Sequence, residues 1–204
     1  LMIRKLVEIP SVRFSVAEMD RKWAQHWRGV VQVWDADFLK VPETEWLNLP
    51  PLGIISNLPY SSGTKILLRL AEHPDKIPFM ILMFQAEVAQ RIRAEPSTKA
   101  WGSLSLWIQT FWDVSKVSSV PPKSFQPPPA VDSEVVLLLP RKEPRIRMSK
   151  NDLIHSKEVW GRILRSSFAH RRKMLRAGLS AHPDLKRALE SSGIDPTLRA
   201  EALT

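Results

Sequence analysis

Asn57-Leu58-Pro59-Tyr60 bring an amide side chain, two backbone carbonyls and an aromatic ring together directly after the short apolar run Leu52–Ser56. Tyr60 is the only tyrosine among 204 residues. An amide oxygen and a carbonyl oxygen can accept both N–H groups of an exocyclic amine on a planar base, while the ring stacks on the base face. Held in that way, the amine nitrogen is presented to a methyl donor. The same four residues also suit a strand-ending turn, because Asn and Pro punctuate strands. A short motif cannot choose between these readings alone, and its surroundings must.

Two carboxylates precede the motif, each after a strand-like run. Glu18 follows Arg13–Ala17, and its carboxylate suits both hydroxyls of a ribose; Asp35 follows Val30–Val33 and suits an adenine amino group. Taken singly, each would serve equally well as a helix cap or a surface charge. An acid after one strand, an acid after the next and then N-L-P-Y resembles the layout of a class I S-adenosylmethionine-dependent methyltransferase, in which ligands lie beyond the carboxyl ends of the strands.

The elements that must position these groups alternate along the first 140 residues. Helical character at Arg21–Arg28 separates the first two strands. Ile54–Ser56 reads as a third strand, Thr64–Ala71 as a helix, Phe79–Phe84 as a strand, and Gln85–Arg93 and Gly102–Thr110 as helices. Val114–Val120 and Val131–Leu139 form a strand pair joined through the proline-rich Pro121–Pro129. This is an α/β pattern: βαβ units on a parallel sheet, finished by an antiparallel hairpin. After Arg141-Lys142-Glu143-Pro144, a linker, the pattern turns helical. One helix is capped by Asn151 or Asp152, with Ile154, Val159, Ile163, Leu164 and Phe168 marking its apolar side. A second spans Arg171–Leu179 and stops near His182-Pro183, and a third, Asp184–Ser191, ends at Gly193. The expected domains are therefore 1–140, carrying the site, and 141–204, a small helical domain.

Charge follows the same division. Residues 1–140 hold 15 Lys or Arg against 14 Asp or Glu, whereas residues 141–204 hold 15 against 7, out of a net charge of +9. A dense basic cluster at one end of a chain points to a polyanionic partner. There are no cysteines, which excludes disulfides and thiol catalysis and fits a reducing, cytoplasmic setting. Five scattered histidines lack ligand spacing, so no metal site is expected. No window reaches the roughly 18 apolar residues of a membrane span, and a soluble monomer away from membranes is expected.

Longer motifs then join the four residues. Gln85–Arg91 reads QAEVAQR, Lys99–Ser105 reads KAWGSLS, and Val120–Ser133 reads VPPKSFQPPPAVDS. Phe168–Arg176 reads FAHRRKMLR, and Gly193-Ile194-Asp195-Pro196 is followed by Arg199-Ala200-Glu201. With these, nearly the whole chain resembles the ribosomal RNA adenine N6,N6-dimethyltransferase family. DNA adenine methyltransferases typically carry Pro where Leu58 stands. The resemblance implies two successive methyl transfers from S-adenosylmethionine to N6 of adenines in small-subunit ribosomal RNA. It implies that Asn57 and the carbonyl of Leu58 or Pro59 hold the amine, and that Tyr60 and Phe125 stack on the flipped-out base. It also implies that Glu18, Met19, Asp35, Ala36 and Asn57 hold the cofactor, and that Arg171, Arg172, Lys173 and Arg176 follow RNA phosphates.

Three features depart from the family pattern. Ser61-Ser62-Gly63 replaces polar or branched residues, Ala130 stands where a charge is frequent, and no glycine precedes Gly29. The family's glycine-rich loop after its first strand is therefore missing. The expectation is an N-terminally truncated member, whose sheet lacks that first, central strand. The alternative reading is a catalytically inactive paralogue that binds ribosomal RNA or assists ribosome assembly.

Overall fold

The computed structural model describes residues 12–48, 52–146, 153–169, 173–180 and 183–202. The chain divides into two compact units, Leu1–Leu52 and Gly53–Thr204.

The first unit is a βαβ element. Strands β1 (Ser15–Glu18) and β2 (Gln32–Asp35) pair in parallel through helix α1 (Arg21–Trp27). Asp20 starts α1 by accepting the Lys22 amide at 2.9 Å, and Ala24, fully buried, is its point of packing. After the extended Arg28, Gly29 takes φ +86°, a left-handed value that favours glycine. A 3₁₀ turn, Phe38–Lys40, and a short helix α2 (Glu43–Trp46) follow, neither of which the sequence pattern announces. The buried Trp46 ring against Phe38, 5.3 Å between centroids, holds them.

The second unit contains a four-stranded sheet in the order β3 (Ile54–Asn57), β4 (Met80–Gln85), β6 (Ser133–Pro140), β5 (Trp112–Val120). The β3–β4 pair is parallel and the others antiparallel, as the alternation predicts. Helix α3 (Gly63–Ala71) connects β3 to β4, and α4 (Ala86–Ile92) and α5 (Ser103–Phe111) lead to β5. Met80, Leu82 and Phe84 alternate inward on β4, opposite Leu138 and Val136 of β6, and α3 buries Ile66, Leu67 and Leu70. Each such side chain contributes about 1.5–3 kcal/mol on leaving water. The last strand begins at Ser133, not Val131, because its partner β4 ends at Gln85 and turns into α4; the Ala86 amide on the Asp132 carbonyl at 2.9 Å is the final bond between them.

Helix α6 (Leu153–Phe168) packs in the same unit, burying Leu164 beside Trp101 and Leu106 and donating from Trp160 Nε1 to Thr110 Oγ1 at 3.2 Å. Its expected caps, Asn151 and Asp152, lie outside the described residues. The helix expected over Arg171–Leu179 is only α7 (Leu175–Gly178) among the described residues. Met174 is extended and bridges Arg199, and the Leu175 amide donates to Leu198 O at 2.8 Å, so backbone pairing pre-empts an earlier helical start. Helix α8 (Pro183–Ser191) precedes Gly193 at φ +71°. Among the described residues no helix is long and apolar enough to cross a membrane.

Candidate functional site

Asn57 closes β3 opposite Met83 of β4, so the four-residue motif leaves the sheet at the carboxyl end of a parallel strand. Glycine at 53 sets the start of that strand, since a Cβ there would stand 2.4 Å from the Phe79 ring. Beyond Asn57 the side chains divide. Leu58 turns inward, 4% exposed, while Asn57 and Pro59 are exposed and Tyr60 is 40% exposed. The Pro59 carbonyl accepts from Gly63 N at 2.7 Å and Ser62 N at 3.2 Å, which closes the turn and starts α3. A Cβ on Gly63 would sit 3.3 Å from that of Leu58, so the helix enters close against the motif.

The Tyr60 hydroxyl is 2.7 Å from Ser133 Oγ. Ser133 opens β6 opposite Gln85 and is 1% exposed. Its neighbour Glu134, equally buried, meets Arg93 Nε at 2.6 Å and Lys116 Nζ at 3.1 Å. Burial is the largest influence on this carboxyl and raises its pKa. The hydrogen bonds and charges of Arg93 and Lys116 together outweigh it and hold the group below its ordinary value. Arg93 is itself placed by α5. Gln109 Nε2 donates to the carbonyls of Ile92 and Ala94, and Ser105 Oγ to that of Arg91, which satisfies the open end of α4.

Phe125 is half-buried and ends a 3₁₀ turn, Pro122–Ser124, its amide donating to Pro122 O at 3.0 Å. Among the described residues no ring contact joins it to Tyr60. Gln85, Glu87, Pro122, Ala130, Val131 and Asp132 line a recess where that loop meets the end of β4.

The two acids belong to the first unit, where they are register partners on the last rung of β1 and β2. Glu18 is half-buried and its Oε1 accepts the Asp20 amide at 2.9 Å. Asp35 is exposed and its Oδ2 accepts from Arg28 Nη2 at 2.7 Å. Arg21, Gln25, Arg28 and Asp35 line a surface recess. Met19 is 69% exposed and Ala36 half-buried. Lys173 and Arg176 are exposed at the start of α7, whereas Arg171 and Arg172 lie outside the described residues. Among the described residues no cluster of His, Asp or Glu forms a metal site.

Sequence reasoning did not single out three partners: Ser133 for Tyr60, Arg28 for Asp35, and the Arg93–Lys116 pair around Glu134. A lone tyrosine at a strand end is a usable signal for the first, because a phenol hydroxyl seeks a partner. Arg28 reaches Asp35 across only seven residues, through the turn after α1, whereas the Glu134 contacts depend on the register of distant strands.

The family model described as "Ribosomal RNA adenine dimethylase" matches residues 4–204. The chain is 41% identical over 180 residues to ribosomal RNA small subunit methyltransferase A of Dinoroseobacter shibae, covering 86% of this chain and 61% of that protein. It is 35% identical over 207 residues to the protein of the same name from Syntrophotalea carbinolica, covering 96% and 75%. The chain thus spans about three fifths of the length of the first of these relatives. Among solved structures, a dimethyladenosine transferase from Plasmodium falciparum superposes with a TM-score of 0.71 at 21% identity, covering 94% of this chain and 77% of that one. The 23S rRNA methyltransferase ErmE does so with a TM-score of 0.67 at 20% identity, covering 100% and 82%. The fold is the Rossmann-like methyltransferase fold expected from the sequence, and with a family match over residues 4–204 the chain belongs to the ribosomal RNA adenine dimethylase family.

Proposed function

We propose that this chain is an RNA adenine N6,N6-dimethyltransferase that acts on small-subunit ribosomal RNA with S-adenosylmethionine as donor. The observation that carries the reading is the division of labour at the end of β3: Leu58 anchors the turn while Asn57 and a tethered Tyr60 remain exposed. Residues 1–140 are assigned to methyl transfer, and 141–204 to RNA binding.

The residues present fit such a donor. Glu18 and Asp35 are carboxylates on adjacent strand ends, suited to ribose hydroxyls and an adenine amine, with Met19 and Ala36, which follow them directly, assigned as further contacts. When bound, the cofactor supplies an electrophilic methyl group. The chain's own task is to hold the adenine. Its N6 lone pair is delocalised into the ring, and two acceptors on the N–H groups favour the pyramidal, nucleophilic form. Asn57 Oδ1 is one acceptor. Because Pro59 O already serves Ser62 and Gly63, the backbone acceptor is assigned to Leu58. Tyr60 and Phe125 stack on the base, so alignment supplies the rate enhancement and no strong general base is needed. Arg171, Arg172, Lys173 and Arg176 are assigned to RNA phosphates.

The test is calorimetry with S-adenosylmethionine, followed by labelled methyl transfer to small-subunit ribosomal RNA. Saturable binding and incorporation at adenine N6 are expected. A chain that binds the RNA but neither binds the cofactor nor incorporates label would sink the enzymatic reading.

A further inference from the structure

The Tyr60 ring alone is enough to stack on a base, and phenylalanine would stack as well. The hydroxyl therefore has another use, and its partner is Ser133 Oγ at 2.7 Å. Ser133 is 73 residues away in sequence and 1% exposed, so this is a long-range bond from a buried side chain to the rim of an exposed ring. The strand end carrying Ser133 is fixed on both sides. Before it, the Asp132 carbonyl accepts the Ala86 amide at 2.9 Å; after it, Glu134 is gripped by Arg93 and Lys116. Ser133 also sits opposite Gln85 in the ladder, so it cannot slide along β4. Holding the far edge of a ring that is 40% exposed on a turn reduces its side-chain freedom before a base arrives.

We infer that Ser133 is a positioning residue for the target adenine: its hydroxyl holds the Tyr60 ring in its stacking orientation. The inference rests on the base-clamp reading above. It predicts that Ser133 influences adenine affinity only through Tyr60.

Because the chain has one tyrosine, labelling with [13Cζ]tyrosine gives a single resonance that reports the phenol directly. In the full chain, Ser133→Ala is expected to move that resonance, and Ser133→Thr, which keeps the hydroxyl, to restore it. The companion measurement is the affinity for a short single-stranded RNA with one adenine, relative to the same RNA with uracil there. Loss of one hydrogen bond corresponds to a fall of about fivefold in the adenine preference for Ser133→Ala, with recovery in Ser133→Thr. Tyr60→Phe should give the same loss, and Ser133→Ala should add nothing in that background. An unmoved resonance in Ser133→Ala, or additive losses in the double variant, overturns the positioning role while leaving the base clamp standing. A Tyr60→Ala variant that keeps its full adenine preference overturns the clamp and the inference together.

Discussion

Glu18 and Asp35 face one another across the final rung of a parallel strand pair, and each already gives one oxygen to a neighbour, Asp20 N or Arg28 Nη2. The remaining lone pairs can accept from a ligand that brings its own donors, as the proposed cofactor would. Glu18→Gln and Asp35→Asn should each weaken S-adenosylmethionine binding by about tenfold, the worth of one charge-assisted hydrogen bond. Isothermal calorimetry on each variant measures this. Unchanged affinity in both would remove the acids from the cofactor site.

Asn57 is exposed at the end of β3, so removing its amide leaves the fold undisturbed. Asn57→Ala should therefore lower methyl transfer at least a hundredfold while RNA affinity stays within about twofold, because phosphate contacts supply most of that affinity. Equal losses of transfer and of binding would contradict the assigned role.

Lys173 and Arg176 are exposed beside a run of basic residues. If each neutralises one phosphate, the double alanine variant should reduce the slope of log affinity against log salt by about 1.5 for single-stranded RNA. Titrations across a salt series give the slope directly, and an unaltered one would take α7 out of the interface.

The Glu134 carboxyl is held below its ordinary value, near 4.5, in the folded chain. A depressed carboxyl adds stability above the unfolded value, and loses it as pH falls through the folded one. Unfolding free energy should thus decline as pH drops below about 4.5, and the decline should be shallower in Glu134→Gln. That variant should also lose about 2 kcal/mol at pH 7, from hydrogen bonds between charged groups. Denaturant titrations at pH 7 and below pH 4 would test both. A parallel pH dependence in the two proteins would contradict the assignment.

Gly53 leaves room for the Phe79 ring, which stands where a methyl would go. Gly53→Ala should cost about 1–2 kcal/mol through forced repacking, and Phe79→Leu should recover part of it. Thermal melts of the single and double variants report the outcome.

Much of this molecule is legible in its residues, for local reasons. The alternation of β4, with Met80, Leu82 and Phe84 inward, is a period-two pattern, and the acidic and Asn punctuation at Glu18, Asp35 and Asn57 falls at strand ends because strands stop where polar groups begin. What eluded sequence reading depends on tertiary contacts that leave no periodic trace. The bridge from Met174 to Arg199 stops a helix that local propensity would extend. The short helix α2 owes its place to Trp46 against Phe38, a contact without a periodic signature. Tyr60 is legible as an aromatic ring just beyond a strand end, but its Ser133 partner requires the register of β6 on β4.

The Pro59 carbonyl, which receives both Ser62 N and Gly63 N, gives the motif a fixed mechanical dimension. One atom ends the Asn57–Tyr60 turn and begins α3, and the far end of that helix is bolted to β5 by Trp112 Nε1 on Ala71 O at 3.0 Å. The turn therefore has a stiff strut directly behind it. A residue inserted anywhere between Asn57 and Gly63 would misplace the helix start and the amide together. The reach of this site can be tuned by exchanging exposed side chains, but not by lengthening the loop that carries them.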